Sequence, residues 1–219
     1  MQPFIPFLPK LFDKKKKYDL NLEIKNKINL KNSQKYFFYP AQFWAHKNHR
    51  YIVDFLRLMK KNNNQGYKVV CCGTRKSNIH YIEKIIKENN LTEDFIILDF
   101  LSNDEVIQLY KNSFGLIMPT YVARSTLPLY ESFFFKKPVF YSNNILDDKL
   151  YQYVIGFNSY HPEDLMDKLK SIENGEIDLN KLTDSAFEYY KSSCSDEVFV
   201  DNYKKMIDEY NYLRNRWED

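Results

Sequence analysis

The chain has 219 residues, a length that fits one large domain or two small ones, and a net charge of +3, which is too small to indicate bulk binding of nucleic acid. Hydrophobic residues make up 44% and aromatic residues 17%, which is enough for a buried core, while 5 glycines and 8 prolines exclude collagen-like and low-complexity classes. No apolar run is long enough for a transmembrane helix, and three cysteines form neither a disulfide framework nor a zinc motif, so a reducing, cytosolic compartment is expected.

The first 34 residues differ in composition from the rest of the chain. Residues 1–9 hold three prolines, residues 14–17 are four lysines, and residues 26–34 are mostly polar. Proline fixes an extended backbone and neighbouring lysines repel one another, so this composition predicts a linker or lead-in over 1–34, with a short helix around 18–27.

From residue 35 onwards, short apolar runs alternate with segments of helical periodicity. The predicted strands cover 36–39, 68–72, 95–98, 114–118, 138–141 and 153–156. The predicted helices cover 49–59 after a cap at Asn48, 79–86, 103–110 after a cap at Ser102, 129–135, a segment starting at 161, 180–191 and 196–217. This alternation, with continuously apolar strands, predicts an α/β fold: a doubly wound, mostly parallel Rossmann-like sheet of about six strands over 35–195, followed by a C-terminal helix in 196–219.

In such a sheet, ligands bind outside the carboxyl ends of the strands. Lys47 follows the first strand at the mouth of a helix, where free N–H groups favour an anion, although a solvated lysine beside a cap is the simpler alternative. Gly73 and Arg75 follow the second strand; the glycine allows backbone to approach a ligand and the arginine adds charge, but a single glycine turn is a weak signal. Cys71 and Cys72 are expected to pack as small hydrophobic residues.

The end of the fourth strand carries the most polar sequence. Arg124, Ser125 and Thr126 precede a predicted helix whose exposed N–H groups can cradle a diphosphate. Glu131 lies in the first turns of that helix beside apolar neighbours, and a buried carboxylate must find partners, for which a pair of sugar hydroxyls would serve. A carboxylate that interacts with the helix dipole is an equally good explanation.

Several other chemistries lack their sequence patterns. The chain has no Ser–His–Asp order, no paired carboxylates of glycosidase type, no P-loop, and no Gly-x-Gly-x-x-Gly after the first strand. His46 and His49 lie three residues apart without a third ligand, so no metal site is expected.

Taken in order, these segments resemble the C-terminal, donor-binding domain of retaining glycosyltransferases of the GT-B fold, the glycosyltransferase family 4 type. The likeness runs from about residue 36 to the end of the chain. It is carried by the strings Tyr-Pro-Ala-Gln-Phe-Trp-Ala-His-Lys-Asn-His at 39–49, Val-Val-Cys-Cys-Gly at 69–73, Leu-Asp-Phe-Leu-Ser at 98–102, Leu-Ile-Met-Pro-Thr at 116–120, Leu-Pro-Leu-Tyr-Glu at 127–131 and Lys-Pro-Val-Phe-Tyr-Ser at 137–142. The first string is similar to a subset of bacterial-type surface-polysaccharide enzymes.

The resemblance implies a nucleotide sugar (UDP-, GDP- or dTDP-linked) as substrate, with no cofactor and no metal. Lys47 and the backbone of Thr126 and Leu127 would contact the diphosphate, Glu131 would hold the ribose hydroxyls, and residues 100–101 would border the base. The expected substrate-binding residues are Gln42, Lys47, Gly73, Arg75, Phe100, Leu101, Arg124, Ser125, Thr126, Leu127 and Glu131.

Two positions depart from the family pattern. Ala123 stands eight positions before Glu131, where the family usually has a glutamate near the transferred sugar, and Gln42 stands five positions before Lys47, where it usually has an arginine. The catalytic residue is therefore left unassigned, and a catalytically silent nucleotide-sugar binding module and a flavodoxin-like interaction domain remain as alternatives.

The resemblance also implies a second domain. GT-B enzymes use an N-terminal domain for most acceptor contacts, so the chain is expected to be the donor-binding half of a hexosyltransferase-type enzyme, with the acceptor half upstream or in trans. The expected acceptor is a glycan or lipid-linked sugar of surface polysaccharide biosynthesis, and the expected location is cytoplasmic, with at most peripheral contact at the inner membrane face and no nucleic-acid partner. Residues 1–9 resemble the interdomain lead-in and 198–217 the terminal helix that crosses back, with Tyr203, Ile207, Tyr210 and Leu213 as its apolar contacts.

Overall fold

The computed structural model describes residues 17–31, 33–64, 66–122, 127–145, 147–194 and 196–216. The strands are β1 (Lys35–Pro40), β2 (Tyr67–Cys72), β3 (Phe95–Leu98), β4 (Gly115–Met118), β5 (Val139–Ser142) and β6 (Ile155–Phe157). The α-helices are α1 (Leu22–Ile28), α2 (His49–Lys61), α3 (Ile79–Glu88), α4 (Asn103–Asn112), α5 (Leu127–Phe134), α6 (Pro162–Glu173), α7 (Leu179–Cys194) and α8 (Asp196–Asn215). Short 3₁₀ turns cover Ala45–Lys47, Asn143–Ile145 and Asp148–Tyr153.

The six strands form one sheet in the order β3-β2-β1-β4-β5-β6, and every neighbouring pair is parallel. This confirms the predicted doubly wound parallel sheet, and the strand bounds differ from the predicted ones by no more than two residues. The direction in which strands are added reverses between β1 and β4. Such a reversal opens a crevice at the carboxyl ends of the two strands, which is where α/β sheets bind their ligands.

Aromatic side chains fill the space between the sheet and α2. The fully buried ring of Phe37 contacts the ring of Phe55 on α2 with centroids 6.3 Å apart. It also contacts Tyr67, Phe114 and Phe140 at centroid distances of 5.4, 5.3 and 5.0 Å, the last two edge to face. Edge-to-face pairs are favourable beyond the area they bury. Much of the high aromatic content of the sequence is thus explained by the core.

Helix α1 is part of the packed structure rather than an extended linker. Asn21 caps it by accepting from the backbone N–H of Ile24 at 2.8 Å, and both Ile24 and Ile28 are buried. The side chain of Lys68 on β2 donates to the carbonyl oxygens of Ile28 and Asn29 at the end of the helix, at 2.9 and 2.8 Å. The short helix expected around 18–27 is confirmed, and two isoleucines four residues apart give it a buried face; the boundaries of the lead-in over 1–34 stay predictions.

Helix α8 exposes apolar side chains along its length. Tyr203, Ile207, Tyr210 and Leu213 lie on it and are 39–63% exposed. These are the residues for which a partner surface was expected. Neither this helix nor any other within the described ranges is long and apolar enough to cross a membrane.

The buried ring of His49 is expected to make the fold sensitive to acid. The ring stacks on Phe43 with centroids 4.3 Å apart, and burial lowers the pKa of His49 to about 3 from an ordinary value of 6.5. In the unfolded chain this histidine is free to take up a proton below about pH 6.5, whereas in the folded chain it stays neutral. Protons therefore bind the unfolded chain in preference to the folded one, and the free energy of unfolding decreases progressively as the pH falls from about 6.5 towards 3.

We expect His49→Phe, which keeps the stacked ring but cannot titrate, to lose about 2 kcal/mol less stability than the natural chain between about pH 7 and pH 5. Thermal melts at the two pH values measure this difference. His80→Gln, at an exposed position on α3, serves as the control and should retain the natural pH dependence. Identical pH dependence in His49→Phe and the natural chain would contradict the assignment.

Candidate functional site

The crevice between β1 and β4 is bordered by two loops. Lys47 lies in the loop after β1, in the 3₁₀ turn that leads directly into α2. The loop after β4 leads into α5, which begins at Leu127. Both helices begin near the carboxyl edge of the sheet, so the positive ends of their dipoles lie on the same side as the crevice.

Hydrogen bonds fasten the turn that carries Lys47 to both strands. Thr120 and Tyr121 lie in the loop after β4. The carbonyl oxygen of His46 accepts from the backbone N–H of Tyr121 at 2.9 Å and lies 2.9 Å from the hydroxyl of Thr120. On the other side, the hydroxyl of Tyr39 on β1 donates to the carbonyl oxygen of Lys47 at 2.8 Å. The backbone of Lys47 is therefore held between its own strand and the neighbouring one.

Asn48 joins three segments at the same place. It has a left-handed backbone conformation (φ 53°), which asparagine tolerates better than most residues, and its side-chain oxygen accepts from the N–H of Tyr51, as expected of a cap. Its side-chain nitrogen donates to the carbonyl oxygens of Pro119 and Ser159, at 3.0 and 3.2 Å. The predicted helix cap is confirmed, and the same side chain also ties α2 to the ends of β4 and β6.

Gly73 lets the loop after β2 pack tightly against the loop after β1. Its φ is 148°, and a Cβ atom there would lie 2.7 Å from the carbonyl oxygen of Ala41 and 2.9 Å from the backbone nitrogen of Gln42. Phe43 then donates its N–H to the carbonyl oxygen of Thr74 at 3.3 Å. The sequence predicted a close approach of a ligand at Gly73, whereas the backbone that approaches it here belongs to the chain itself.

Within the described part of the chain, the charge of Lys47 is not neutralised. The side chain is half-buried, and burial lowers the pKa of Lys47 from its ordinary value. Among the residues that the structure describes, no carboxylate forms an ion pair with its ammonium group. A cation held in this way favours an anionic ligand that supplies the missing charge.

Glu131 on α5 is held by Tyr110 on α4. The hydroxyl of Tyr110 donates to the carboxylate oxygen Oε2 of Glu131 at 2.6 Å. Burial raises the pKa of Glu131, and the hydrogen bond from Tyr110 acts in the opposite direction. Within the described part of the chain, the second oxygen, Oε1, has no hydrogen-bond donor, so it can accept from a ligand.

Arg75 forms ion pairs within the chain. Its guanidinium donates to Asp99 at 3.1 Å and also contacts Glu83. Arg75 was expected to contact the substrate, but here its charge is paired with carboxylates of the chain itself.

The remaining predicted residues lie at the rim of the site. The ring of Phe100 is 92% exposed and Leu101 is half-buried, both directly after β3. The side-chain oxygen of Gln42 accepts from Nε1 of Trp44 at 2.8 Å. Leu127 is exposed at the start of α5. Ala123, Arg124, Ser125 and Thr126 lie outside the described residues.

The described residues contain no group of three or more His, Cys, Asp or Glu side chains arranged to hold a metal ion. Cys71 and Cys72 are buried, as expected of packing residues. Burial, assisted by the nearby charge of Glu131, raises the pKa of Cys72 to about 12, so this thiol stays protonated at neutral pH.

Sequence reasoning missed Tyr39, Tyr110 and Thr120. Tyr110 lies on the apolar face of α4, where a buried tyrosine hydroxyl needs a hydrogen-bond partner, and this requirement was the available signal. Thr120 follows the fourth strand directly, at the edge where ligand sites form. Neither signal identifies the partner, since Glu131 is 21 residues from Tyr110 and His46 is 74 residues from Thr120.

The parallel sheet, its strand order and the helices on both faces place the chain among the Rossmann-like α/β domains. The family model of the glycosyl transferases group 1 matches residues 21–189, and the chain belongs to this family. No curated protein matches the sequence.

Solved glycosyltransferase structures share the fold. A glycosyltransferase from Rickettsia africae superimposes with a TM-score of 0.73 at 17% identity, covering 85% of this chain and 50% of its own. HepE from Anabaena, solved with UDP and glucose, gives 0.73 at 10% identity, covering 85% and 51%. The C-terminal domain of LpcC, a group 1 family protein from Francisella tularensis, gives 0.62 at 13% identity, covering 82% and 96%. The chain thus spans about half the length of the first two structures and nearly all of the isolated domain.

We expect Thr120→Val to weaken the binding of an anionic ligand at Lys47 severalfold, because the hydroxyl that is removed lies 2.9 Å from the carbonyl oxygen of His46 and 2.8 Å from that of Val122 and helps to hold the two loops together. The buried hydroxyl is replaced by a methyl group of similar size, so the free energy of unfolding should fall by about 1 kcal/mol. Thr183→Val is the matched control: Thr183 is buried and its hydroxyl contacts the carbonyl oxygen of Leu179 within α7. Calorimetric titrations and thermal melts should show similar losses of stability but weaker binding in Thr120→Val alone; equal affinities would contradict the assigned role.

Proposed function

We propose that the chain is the donor-binding half of a glycosyltransferase, of hexosyltransferase type, that transfers a sugar from a UDP-, GDP- or dTDP-linked donor. The acceptor in this proposal is a glycan or a lipid-linked sugar of surface polysaccharide biosynthesis. The observation that carries the proposal is the half-buried Lys47, which no described carboxylate neutralises and which is held at the crevice between β1 and β4.

The charges at the site suit the two polar parts of a nucleoside diphosphate. Lys47 and the N-terminus of α5 would neutralise the diphosphate. Glu131 would accept from the ribose hydroxyls through its second oxygen. The exposed ring of Phe100 would border the base. In this proposal no metal ion is needed, and binding of the diphosphate should be the same with and without a chelator.

The likeness to known structures supports this choice of ligand. HepE, of which the matching part is about half, was solved with UDP and glucose. The match to an isolated C-terminal domain of a group 1 family protein fits a chain that corresponds to one domain of a two-domain enzyme. The exposed apolar residues of α8 would then contact an N-terminal, acceptor-binding domain, present upstream or in trans.

The proposal predicts that the chain binds a nucleoside diphosphate through Lys47. Isothermal titration with UDP, GDP and dTDP should show binding of at least one of them, and Lys47→Ala should weaken it roughly tenfold or more, because a hydrogen bond to a charged group is lost. Lys61→Ala is the matched control, since it removes the same charge at the opposite end of α2, about 18 Å away along the helix axis. If none of the three diphosphates binds, the proposal fails.

The proposal also predicts that Glu131→Gln strengthens the fold while weakening nucleotide binding. Burial raises the pKa of Glu131, so the natural chain loses stability as the pH rises from the ordinary carboxyl pKa to that of the folded state, and above it the loss is complete. The glutamine variant avoids this loss, so at about pH 8 its melting temperature should lie above that of the natural chain.

The higher melting temperature of Glu131→Gln relative to the natural chain should disappear as the pH falls towards the ordinary pKa of a carboxyl group. Glu209→Gln, on the exposed helix α8, removes a surface charge and should change neither stability nor affinity appreciably. An unchanged affinity in Glu131→Gln would overturn the ribose assignment but leave the role of Lys47 standing. A lower melting temperature at pH 8 would show that the carboxylate stabilises the fold.

A further inference from the structure

We propose that Tyr110 is a positioning residue for the ribose-binding carboxylate: its hydroxyl occupies Oε2 of Glu131 and thereby presents Oε1 to the ribose hydroxyls of a nucleoside diphosphate. The inference deepens the proposed function and rests on it. It assigns a binding role to a residue of α4, a helix that contributes no other residue to the candidate site.

The position of the Tyr110 hydroxyl is fixed by its surroundings. The side chain is 1% exposed. Its ring packs edge to face against Phe38 on β1, with centroids 4.9 Å apart, and stacks on Phe135 just after α5, at 5.6 Å. A ring enclosed on both sides in a close-packed core keeps one rotamer, so the hydroxyl oxygen is a fixed point against which the carboxylate is set.

The hydrogen bond selects one orientation of the carboxylate. At 2.6 Å it has the short length of an O–H···O⁻ bond, which is stronger than a bond between neutral groups. A carboxylate accepts at two oxygens, and a phenol hydroxyl has one proton to donate. With that proton on Oε2, Oε1 is the oxygen without a donor among the described residues, and the two adjacent hydroxyls of a ribose would supply donors to it.

The charge of Glu131 also depends on this bond. Among the residues that the structure describes, the titratable groups that face it are Tyr110 from α4 and Cys72 from β2. Burial and the nearby carboxylate raise the pKa of both, so both stay neutral at physiological pH and neither supplies a positive charge. The hydroxyl of Tyr110 is thus the group that favours the ionised form of Glu131 against burial, and removing it raises the pKa of Glu131 further.

The test compares Tyr110→Phe with Tyr36→Phe in the full chain. Tyr36 is the matched control, because it is equally buried and its hydroxyl donates to a neutral acceptor on the same helix, the carbonyl oxygen of Leu109, at 2.8 Å. Both variants keep their rings and lose one buried hydrogen bond, so both melting temperatures should fall, that of Tyr110→Phe by more because its bond is to a charged acceptor. The ligand is the nucleoside diphosphate that binds the natural chain most tightly, used alongside its 2′,3′-dideoxy analogue.

Tyr110→Phe should bind the ribonucleotide about threefold to tenfold more weakly than the natural chain, as expected from the loss of an interaction with a charged group. It should also lose most of the preference for the ribonucleotide over the dideoxy analogue. As the pH falls, affinity falls because Glu131 takes up a proton, and in Tyr110→Phe this fall should begin at a higher pH. Tyr36→Phe should keep the natural preference and pH profile.

The outcomes separate the inference from the proposed function. If no nucleoside diphosphate binds the natural chain, the proposed function fails and the inference fails with it. If the natural chain binds and prefers the ribonucleotide, but Tyr110→Phe and Tyr36→Phe give the same preference and pH profile, the proposed function stands and the role of Tyr110 is wrong.

Discussion

The candidate site depends on the hydrogen bonds that fasten the loop after β1 to the loop after β4. Loops are ordinarily the mobile part of a domain, and loops at the carboxyl edge of a parallel sheet are connected to each other through the strands that carry them. Here the carbonyl oxygen of His46 accepts from the loop after β4, and the side chain of Asn48 donates to Pro119. Tyr39 also donates to the carbonyl oxygen of Lys47 from within the sheet, so the turn is held from both sides. A cation in such a turn needs little reorganisation to bind a ligand.

The same constraint links binding to folding. Thr120 and Asn48 are buried and contribute to the packing of the carboxyl edge, and they also hold the backbone around Lys47. Glu131 and Lys47 carry opposite charges in partly buried positions, and within the described ranges neither is neutralised by an ion pair. Burying such groups costs free energy, and the cost is recovered when a ligand supplies the counter-charge and the donors. The proposed nucleoside diphosphate, an anion at one end and a diol at the other, would supply both the counter-charge and the donors.

The sequence predicted the fold better than the contacts within the site. Continuous apolar strands such as residues 69–72 and capping signals such as Ser102 are local, so the six strands and the start of α4 were found correctly. Lys47 and Glu131 were identified from local context and from family resemblance. The partners of these residues were missed, because Tyr110 reaches Glu131 only when α4 and α5 pack together, and sequence spacing does not encode that packing. At Gly73, the sequence indicated a close approach of backbone to another group. Whether that group is a ligand or the chain's own backbone depends on how the loops after β1 and β2 pack together, which the sequence does not encode.

Two lysines show how the structure separates a structural charge from one available to a ligand. Burial lowers the pKa of both Lys68 and Lys47, so burial alone does not distinguish them. Lys68 donates to the carbonyl oxygens of Ile28 and Asn29, where the negative end of the α1 dipole completes its environment. Lys47 follows the carboxyl end of its strand and precedes the positive end of α2, where the dipole opposes its charge, and the described residues give it no carboxylate. An ammonium group placed against a helix dipole is disfavoured by the fold itself, and the anion of the proposed function is a ligand that both the lysine and the helix would attract.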